Sequence, residues 1–189
     1  MRSSRADGDR VRAFAPIIGA RPRVLVLGSL PGSASLRAGQ YYAHPRNQFW
    51  PIMAALWGVP AGAPYRRRVA ALRMAGIGLW DVLAEATRPG SGDADIEPAT
   101  ARAHDIHGLL LRHPSIRVLA FNGGAAERLF RRLVRPTLSA TQLAALDFVT
   151  LPSTSPANAT LDFTAKLRRW RLLASRTIRA PNRTTRTSA

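Results

Sequence analysis

Cysteine is absent from the 189 residues of this chain. Its absence excludes disulfide bridges, thiolate zinc sites, iron–sulfur clusters and cysteine nucleophiles. The chain also lacks any run of 18 apolar residues, which a membrane-spanning helix would need. Its first ten residues, MRSSRADGDR, carry charges where a signal peptide has its apolar core. We therefore expect a soluble, cytoplasmic protein.

Lysine is almost absent, because Lys166 is the only one and the other basic residues are all arginine. A Schiff-base mechanism needs a lysine amine in the catalytic pocket. Lys166 lies in TAKLRRWRLL, a segment that we expect to present an exposed helical face. Covalent amine chemistry is therefore not expected.

Acidic residues are few, and the resulting net charge of +17 predicts attraction to polyanions, with nucleic acid first among them. The charge can also arise without a polyanionic partner. GC-rich coding can favour arginine without any functional demand, and much of the excess lies at the two ends of the chain, where it can be solvated and non-specific.

The hydrophobic fraction of 46% and the length indicate a single core-forming domain. We place this domain at residues 21–175. On either side we expect a flexible N-terminal segment (1–20) and a basic, disordered tail (176–189).

Short apolar runs alternate with helical patterns along this domain. The predicted strands are Arg23–Gly28, Gly76–Val82, Ile116–Phe121 and Asp147–Pro152. Such alternation predicts an α/β fold in which helices cover both faces of a parallel sheet. Ligands bind such sheets at the carboxyl ends of the strands. The residues at those ends are Gly28–Ser35, Asp81–Val82, Asn122–Gly124 and Pro152–Asn158.

The first of these ends begins the segment GSLPGSASLRAGQYYAHPRNQFW. Gly28 and Gly32 permit tight turns and a close approach of the backbone to a ligand. The segment lacks the lysine of a P-loop and the spacing of a dinucleotide fingerprint. Tyr41 and Tyr42 each need a partner for the hydroxyl group, so one of them suits a stacking platform for a flat ring, although both could simply cover the loop.

The last of these ends is LPSTSPANA, in which two prolines flank three hydroxyl side chains. Such a loop can hydrogen-bond phosphate oxygens. It can equally be a turn capped by its own side chains, which is the interpretation that the segment alone favours.

Histidine gives no metal site. His104 and His107 lie three residues apart on a helix predicted from about Thr100 to Arg112, and His113 is at its end. Because no third ligand is nearby, we expect all three to be surface residues, and we predict no bound metal. His44 is in the first segment, where loop histidines are often structural.

The order of these motifs resembles that of the hypoxanthine-DNA glycosylases, a group within the uracil-DNA glycosylase superfamily. The matching motifs are GSLPGSAS with QYYAHPRNQFW, then GIGLWDV, a strand ending in FNGG, and LPSTSPANA. The resemblance covers roughly residues 23–169. It implies a three-layer α/β/α domain with a central, mostly parallel four-stranded sheet. It also implies a DNA repair enzyme that hydrolyses the N-glycosidic bond of a deaminated base, without a lyase step, metal or cofactor.

The resemblance assigns roles to individual residues. Many relatives have Asp or Asn at the position of Leu30, which cannot act on water, and the group is similar in using the asparagine of H-P-x-N, here Asn47, as the catalytic residue. Some relatives have histidine in place of Asn158, which puts a role for Asn158 in stabilising the leaving group in doubt. The base-binding residues implied are Gly28, Ser29, Leu30, Pro31, Gly32, Tyr42, Asp81 and Asn122. The DNA-binding residues implied are Ser35, Ser153, Thr154, Ser155, Pro156 and Asn158.

Two of these assignments have a stated chemistry. Tyr42 stacks on the flipped base, and Asp81, if ionised, accepts a hydrogen bond from N1–H of hypoxanthine, a donor that adenine lacks. Asp81 could instead merely cap the end of its strand. The implied partner is double- or single-stranded DNA at the nucleoid, bound by a monomer.

Different functions remain open for the same sequence. The fold could act on uracil, xanthine or mismatched thymine. The chain could also be a basic DNA-binding domain without catalysis, or a hydrolase of free nucleosides.

Overall fold

The computed structural model describes residues 9–178 of the chain. The strands are β1 (Arg10–Arg12), β2 (Val24–Gly28), β3 (Ile77–Asp81), β4 (Leu83–Thr87), β5 (Arg102–Ala103), β6 (Val118–Asn122) and β7 (Asp147–Leu151). The α-helices are α1 (Ser33–Ala38), α2 (Phe49–Trp57), α3 (Tyr65–Met74), α4 (Ile106–Arg112), α5 (Gly124–Leu133), α6 (Ala140–Ala144) and α7 (Phe163–Ile178).

Four of the strands form a central sheet in the order β3-β2-β6-β7, with every neighbouring pair parallel. All four were predicted from the sequence, and their ends differ from the predicted bounds by at most two residues. Their apolar runs identify them because a parallel sheet covered on both faces buries almost every side chain. The prediction of a four-stranded parallel sheet is confirmed.

The core lies on both faces of this sheet. Leu25 and Leu27 of β2 pack on one face, which helices α4 and α5 cover. Val24 and Val26 point to the opposite face, which α2, α3 and α7 cover. Because successive side chains of a strand alternate between faces, β2 contributes to both cores, and the layers are helix, sheet, helix.

A small antiparallel sheet, in the order β1-β4-β5, was not predicted. It corrects the predicted flexible segment 1–20, because Arg10–Arg12 pair with β4 and Ile17 is buried and forms a bridge with Leu79. Residues 1–8 of that segment lie outside the described residues. Strands of two or three residues are too short to show a period in the sequence.

The helix predicted from about Thr100 begins only at Ile106. The residues before it form β5 and a turn, and the Asp105 carboxylate accepts a hydrogen bond of 2.7 Å from the Gly108 amide, which caps α4. At the other end of the chain α7 continues to Ile178, past the predicted boundary at residue 175. The rest of the predicted tail, 179–189, is not among the described residues.

Among the helices of residues 9–178, none combines the length and the apolar character that a membrane crossing requires.

Candidate active site

A pocket of about 700 Å³ opens at the carboxyl ends of β2, β3 and β6, where the fold class places a ligand. Its volume is in the range of sites that enclose a small organic molecule. It is lined by 14 of the 15 predicted site residues: Gly28, Ser29, Leu30, Pro31, Gly32, Ser35, Tyr42, Asn47, Asp81, Asn122, Ser153, Ser155, Pro156 and Asn158. Residues far apart in the sequence are thus brought to one cavity.

Position 28 requires glycine because its neighbours leave no room for a side chain. The register of β2 and β3 pairs Gly28 with Asp81. A Cβ atom at position 28 would overlap Asp81 Oδ1 and would lie 3.3 Å from the Tyr42 hydroxyl oxygen. Glycine therefore lets the Asp81 carboxyl and the Tyr42 hydroxyl close against the backbone of β2.

The Asp81 carboxyl is buried, with 3% of the residue exposed, and its Oδ2 has no hydrogen-bond partner in the described part of the chain. Burial raises the pKa of Asp81 to about 8; Asp93 adds to the rise and Arg88 opposes it. At neutral pH the carboxyl is mostly protonated, so the ionised form considered from the sequence is the minor one. A neutral carboxyl presents one donor and one acceptor.

Tyr42 has an unusual backbone and a paired ring. Its φ of 54° lies in the left-handed region, which residues with a side chain rarely adopt. One face of its ring stacks on Phe49, with ring centroids 4.2 Å apart and planes at 29°. Such strain at a pocket wall is typical of functional sites.

The two adjacent tyrosines have different environments. The Tyr41 hydroxyl donates to the Ala15 carbonyl at 3.4 Å. The Tyr42 hydroxyl is buried, and although Asn122 lies near it, no described atom completes a hydrogen bond with it. Burial raises the pKa of Tyr42, and the nearby Asp81 raises it further, so the hydroxyl keeps its proton.

Asn47 is held at the start of α2. Its Oδ1 accepts a hydrogen bond of 3.0 Å from the Phe49 amide, and its own backbone amide donates to the His44 carbonyl at 2.8 Å. These bonds fix the side chain at the pocket wall. The side-chain oxygen retains a second lone pair, which can accept a hydrogen bond from a ligand.

Thr154 has a different environment from the other predicted DNA-binding residues. It is fully buried, and it is the one predicted residue that does not line the pocket. Its Oγ1 accepts from Asn122 Nδ2 at 2.9 Å, and its amide donates to Asn122 Oδ1 at 2.9 Å. The Asn122 side chain therefore ties the second loop, residues 152–158, to the end of β6. Ser35 is also nearly buried, and its hydroxyl accepts from the Ala43 amide at 3.2 Å.

The other hydroxyl groups of the second loop form turns. Ser153 Oγ accepts from the Ser155 amide, and Ser155 Oγ accepts from the Ala157 amide, both at 3.2 Å. This is the turn capped by its own side chains that the segment alone favoured. Each hydroxyl keeps its own proton, which remains able to donate to a phosphate oxygen.

Lys166 was expected on an exposed face, and this prediction is wrong. The residue is 2% exposed, and its Nζ donates to the Asn158 carbonyl at 2.7 Å. The error arose because the charges around it, in LRRWRL, suggested a solvated face, whereas Lys166 lies on the buried side of α7 with Trp170. Lys166 does not line the pocket; its hydrogen bond to the Asn158 carbonyl holds the second loop in place.

His104 was also expected at the surface and is instead half-buried. Its ring stacks on Trp80, with centroids 4.1 Å apart, and burial lowers the pKa of His104 to about 4. His44 lines the pocket, and its Nδ1 accepts from the Arg46 amide at 3.1 Å. No group of three acidic or histidine residues suited to a metal occurs in the described part of the chain.

The segment after β4 contributes pocket residues that sequence reasoning missed: Arg88, Ser91, Gly92 and Asp93. Asp93 Oδ1 accepts from Ser29 Oγ at 2.5 Å, so this segment is joined to the loop after β2. The sequence of this segment, TRPGSGDADIEP, is rich in glycine, proline and aspartate, a composition typical of a loop. The sequence signal for these pocket residues was a single arginine among small residues and aspartates, shortly after a strand.

Known proteins are similar to this chain in sequence. A sequence model of the uracil DNA glycosylase superfamily matches residues 16–174. A hypoxanthine DNA glycosylase of Methanosarcina acetivorans is 33% identical over 148 residues, which are 78% of this chain and 87% of the relative. One from Methanosarcina barkeri is 36% identical over 113 residues, 59% of this chain and 70% of the relative.

Solved structures agree with the sequence comparisons. The solution NMR structure of a Methanosarcina acetivorans protein proposed to be a uracil DNA glycosylase superposes with a TM-score of 0.73 at 29% identity. The match covers 88% of this chain and 98% of that one.

Proposed function

This chain belongs to the uracil DNA glycosylase superfamily, and we propose that it removes hypoxanthine from DNA by hydrolysing the N-glycosidic bond of deoxyinosine. The observation that carries the proposal is the single pocket in which Tyr42, Asn47 and Asp81 meet. Two relatives, 36% and 33% identical to this chain over the matched residues, are named hypoxanthine DNA glycosylase.

The base enters the pocket after it has left the stack. Unpairing costs a few kcal/mol and costs less for a deoxyinosine that pairs poorly. A pocket of about 700 Å³ accommodates a purine ring. Stacking on an aromatic side chain offsets part of the cost, by about 1–3 kcal/mol per base. Tyr42, backed by Phe49, is the aromatic side chain at this wall.

Asp81 recognises the edge of the base. In its protonated form the carboxyl donates to O6 of hypoxanthine and accepts from N1–H, which places two hydrogen bonds on one edge. The unpartnered Oδ2 supports this role, because a buried polar atom without a partner is costly until a ligand provides one.

The bond is then broken by water. The C1′–N9 bond breaks with its electron pair moving to the base, water oxygen bonds to C1′, and the proton that this water loses passes to the departing base anion or to solvent. Asn47 orients the water through the free lone pair of Oδ1. Because an amide is not a strong base, the rate enhancement rests mainly on positioning and on stabilising the departing base.

The DNA backbone is held around the pocket. Ser153 and Ser155 donate their hydroxyl protons to phosphate oxygens, and the excess of arginine attracts the duplex. We propose that the enzyme acts as a monomer on chromosomal DNA in the cytoplasm, on single or double strands.

Uracil is the second candidate base. Its N3–H and O4 present the same donor and acceptor pattern as the edge of hypoxanthine, so a protonated Asp81 fits both. The pocket volume does not exclude the smaller ring.

The test is incubation of the purified protein with duplex and single-stranded oligonucleotides, followed by alkaline strand scission at abasic sites. The substrates contain deoxyinosine, deoxyuridine, deoxyxanthosine, a G·T mismatch or only normal bases. We expect the fastest scission at deoxyinosine. Salt-sensitive DNA binding without any abasic product would contradict the proposal, as would hydrolysis confined to free inosine.

Asn47→Ala tests the assigned catalytic residue in the same assay. We expect single-turnover cleavage of deoxyinosine to fall by about two decades or more. Asn47→Ser is the matched control for folding, because a serine hydroxyl can still accept a hydrogen bond from the Phe49 amide. A folded Asn47→Ala protein with an undiminished rate would show that another group orients the water.

A further inference from the structure

Arg88 is a nearly buried cation in the pocket that the proposed function leaves without a role. It follows β4, and only 3% of it is exposed. Its Nη2 donates to the Pro31 carbonyl at 2.6 Å, on the loop after β2. Its Nε is buried, and no hydrogen-bond partner for it exists among residues 9–178.

The charge of Arg88 is not balanced by a close ion pair. No carboxylate of the described chain lies within 4.0 Å of its guanidinium. Asp93, Asp81 and Asp95 act on it from farther away, and Asp81 is mostly protonated at neutral pH. A buried cation without a close counter-ion is costly, so its place at a pocket wall supports an anion that forms there.

The second loop provides no positively charged donor for that anion. At Asn158, Nδ2 donates one proton to the Ser153 carbonyl at 3.2 Å and Oδ1 accepts from Thr160 at 2.7 Å. One of the two N–H donors of this neutral side chain is thus engaged within its own segment. A positive group for the departing base has to come from another wall.

We propose that Arg88 is a catalytic residue that stabilises the negative charge on the departing purine. This inference rests on the proposed function. As the C1′–N9 bond breaks, its electron pair moves into the purine, which becomes an anion delocalised over its ring nitrogens and O6. Arg88 lines the pocket, and its bond to the Pro31 carbonyl uses only one guanidinium donor, so other donors are left for that charge. Cations placed where charge develops accelerate such steps most in a pocket that excludes water.

A structural role for Arg88 has a different consequence. If Arg88 only holds the Pro31 carbonyl in place, its removal loosens the loop for every substrate equally. If it stabilises the leaving group, its removal harms a poor leaving group more than a good one.

The experiment compares two substrates in each variant. Deoxyinosine and 2-fluoro-deoxyinosine differ by one small electron-withdrawing atom that makes the base a better leaving group. Single-turnover rates on both are measured for the wild type, Arg88→Met and Arg88→Lys. The ratio of the two rates within one variant does not depend on the folded fraction, because misfolded protein lowers both rates alike.

We expect Arg88→Met to lose about a hundredfold on deoxyinosine and about tenfold on the fluorinated substrate, so the ratio of the rates rises about tenfold. Arg88→Lys keeps a positive charge and gives a ratio close to that of the wild type. A ratio unchanged in Arg88→Met overturns the inference. Failure of the wild type to cleave deoxyinosine would instead overturn the proposed function.

Discussion

The ends of β2 and β3 differ from the ends of β6 and β7 in how their polar groups are paired. On the first side, which we call the open side, Tyr42, Asp81 and Arg88 each bury a polar atom that has no partner within the described chain. On the second, the paired side, Asn122 and Thr154 bond to each other twice at 2.9 Å.

This difference suits the open side to ligand recognition and the paired side to structural support of the second loop. A buried polar atom without a partner costs about 1–3 kcal/mol, so the presence of three of them in one pocket favours a ligand that provides partners. Paired groups have little left to offer a ligand, but they hold a loop in one shape. We therefore expect the open side to contact the base and the paired side to fix the second loop, against which we propose that the DNA is placed.

Among the variants that test the two sides, Gly28→Ala is expected to lose the most activity, because the added methyl group displaces a polar group of the open side. The new methyl group overlaps Asp81 Oδ1, so the carboxyl must move out of its position beside Tyr42. We expect single-turnover cleavage to fall about a hundredfold. Overpacking also lowers the free energy of unfolding, by about 1–3 kcal/mol, as urea denaturation would measure.

Gly32→Ala is its matched control. Gly32 also lines the pocket, but a Cβ atom there meets no atom of the described residues within 4 Å. Its φ of −71° suits any residue. We expect a rate within about threefold of the wild type. Equal losses in the two variants would mean that any bulk in the loop, and not the position of Asp81, limits the reaction.

Asp81→Asn is expected to remove a pH dependence of stability. The folded-state pKa of Asp81 is about 8, above the value of about 3.9 for an exposed aspartate. Between these values the folded protein holds a proton that the unfolded chain lacks, so the wild type loses stability as pH rises from about 4 to 8. The loss levels off above pH 8. Asparagine has no such proton.

The measurement is the free energy of unfolding of both proteins at pH 5 and pH 8. From pH 5 to pH 8, the free energy of unfolding of Asp81→Asn is expected to rise by about 3 kcal/mol relative to that of the wild type. A constant difference over this range would show that the Asp81 carboxyl is ionised in the folded protein, and the two-bond contact with the base would then be withdrawn.

The sequence predicted the central sheet and the position of the pocket because both depend on local patterns. Runs such as VLVLG and IGLWD identify buried strands, and polar residues after several strands converge at one edge of a parallel sheet. The small antiparallel sheet was missed because β1 and β5 have only three and two residues.

The pairing of side chains could not be predicted, because it depends on tertiary distances. Thr154 and Ser155 are neighbours of the same chemical type, yet Thr154 is buried against Asn122 and Ser155 lines the pocket. Arg88 and Lys166 are buried cations, whereas from sequence alone charged side chains are expected in solvent. The protonation of Asp81 likewise follows from burial, which no residue pattern reports.

Thr154→Val is expected to have the smallest effect and tests the paired side. Valine has nearly the volume of threonine but cannot accept the hydrogen bond from Asn122 Nδ2. Because this donor is then left without its partner next to a buried residue, we expect the free energy of unfolding to fall by about 1–2 kcal/mol. The matched control is Thr160→Val, at an exposed position of the same segment, where a change within about 0.5 kcal/mol is expected.

If the paired side only supports the second loop, DNA binding weakens in Thr154→Val, while the single-turnover rate at saturating protein stays near that of the wild type. A rate that falls together with binding would assign Asn122 a direct contact with the base, and the division between the two sides would not hold.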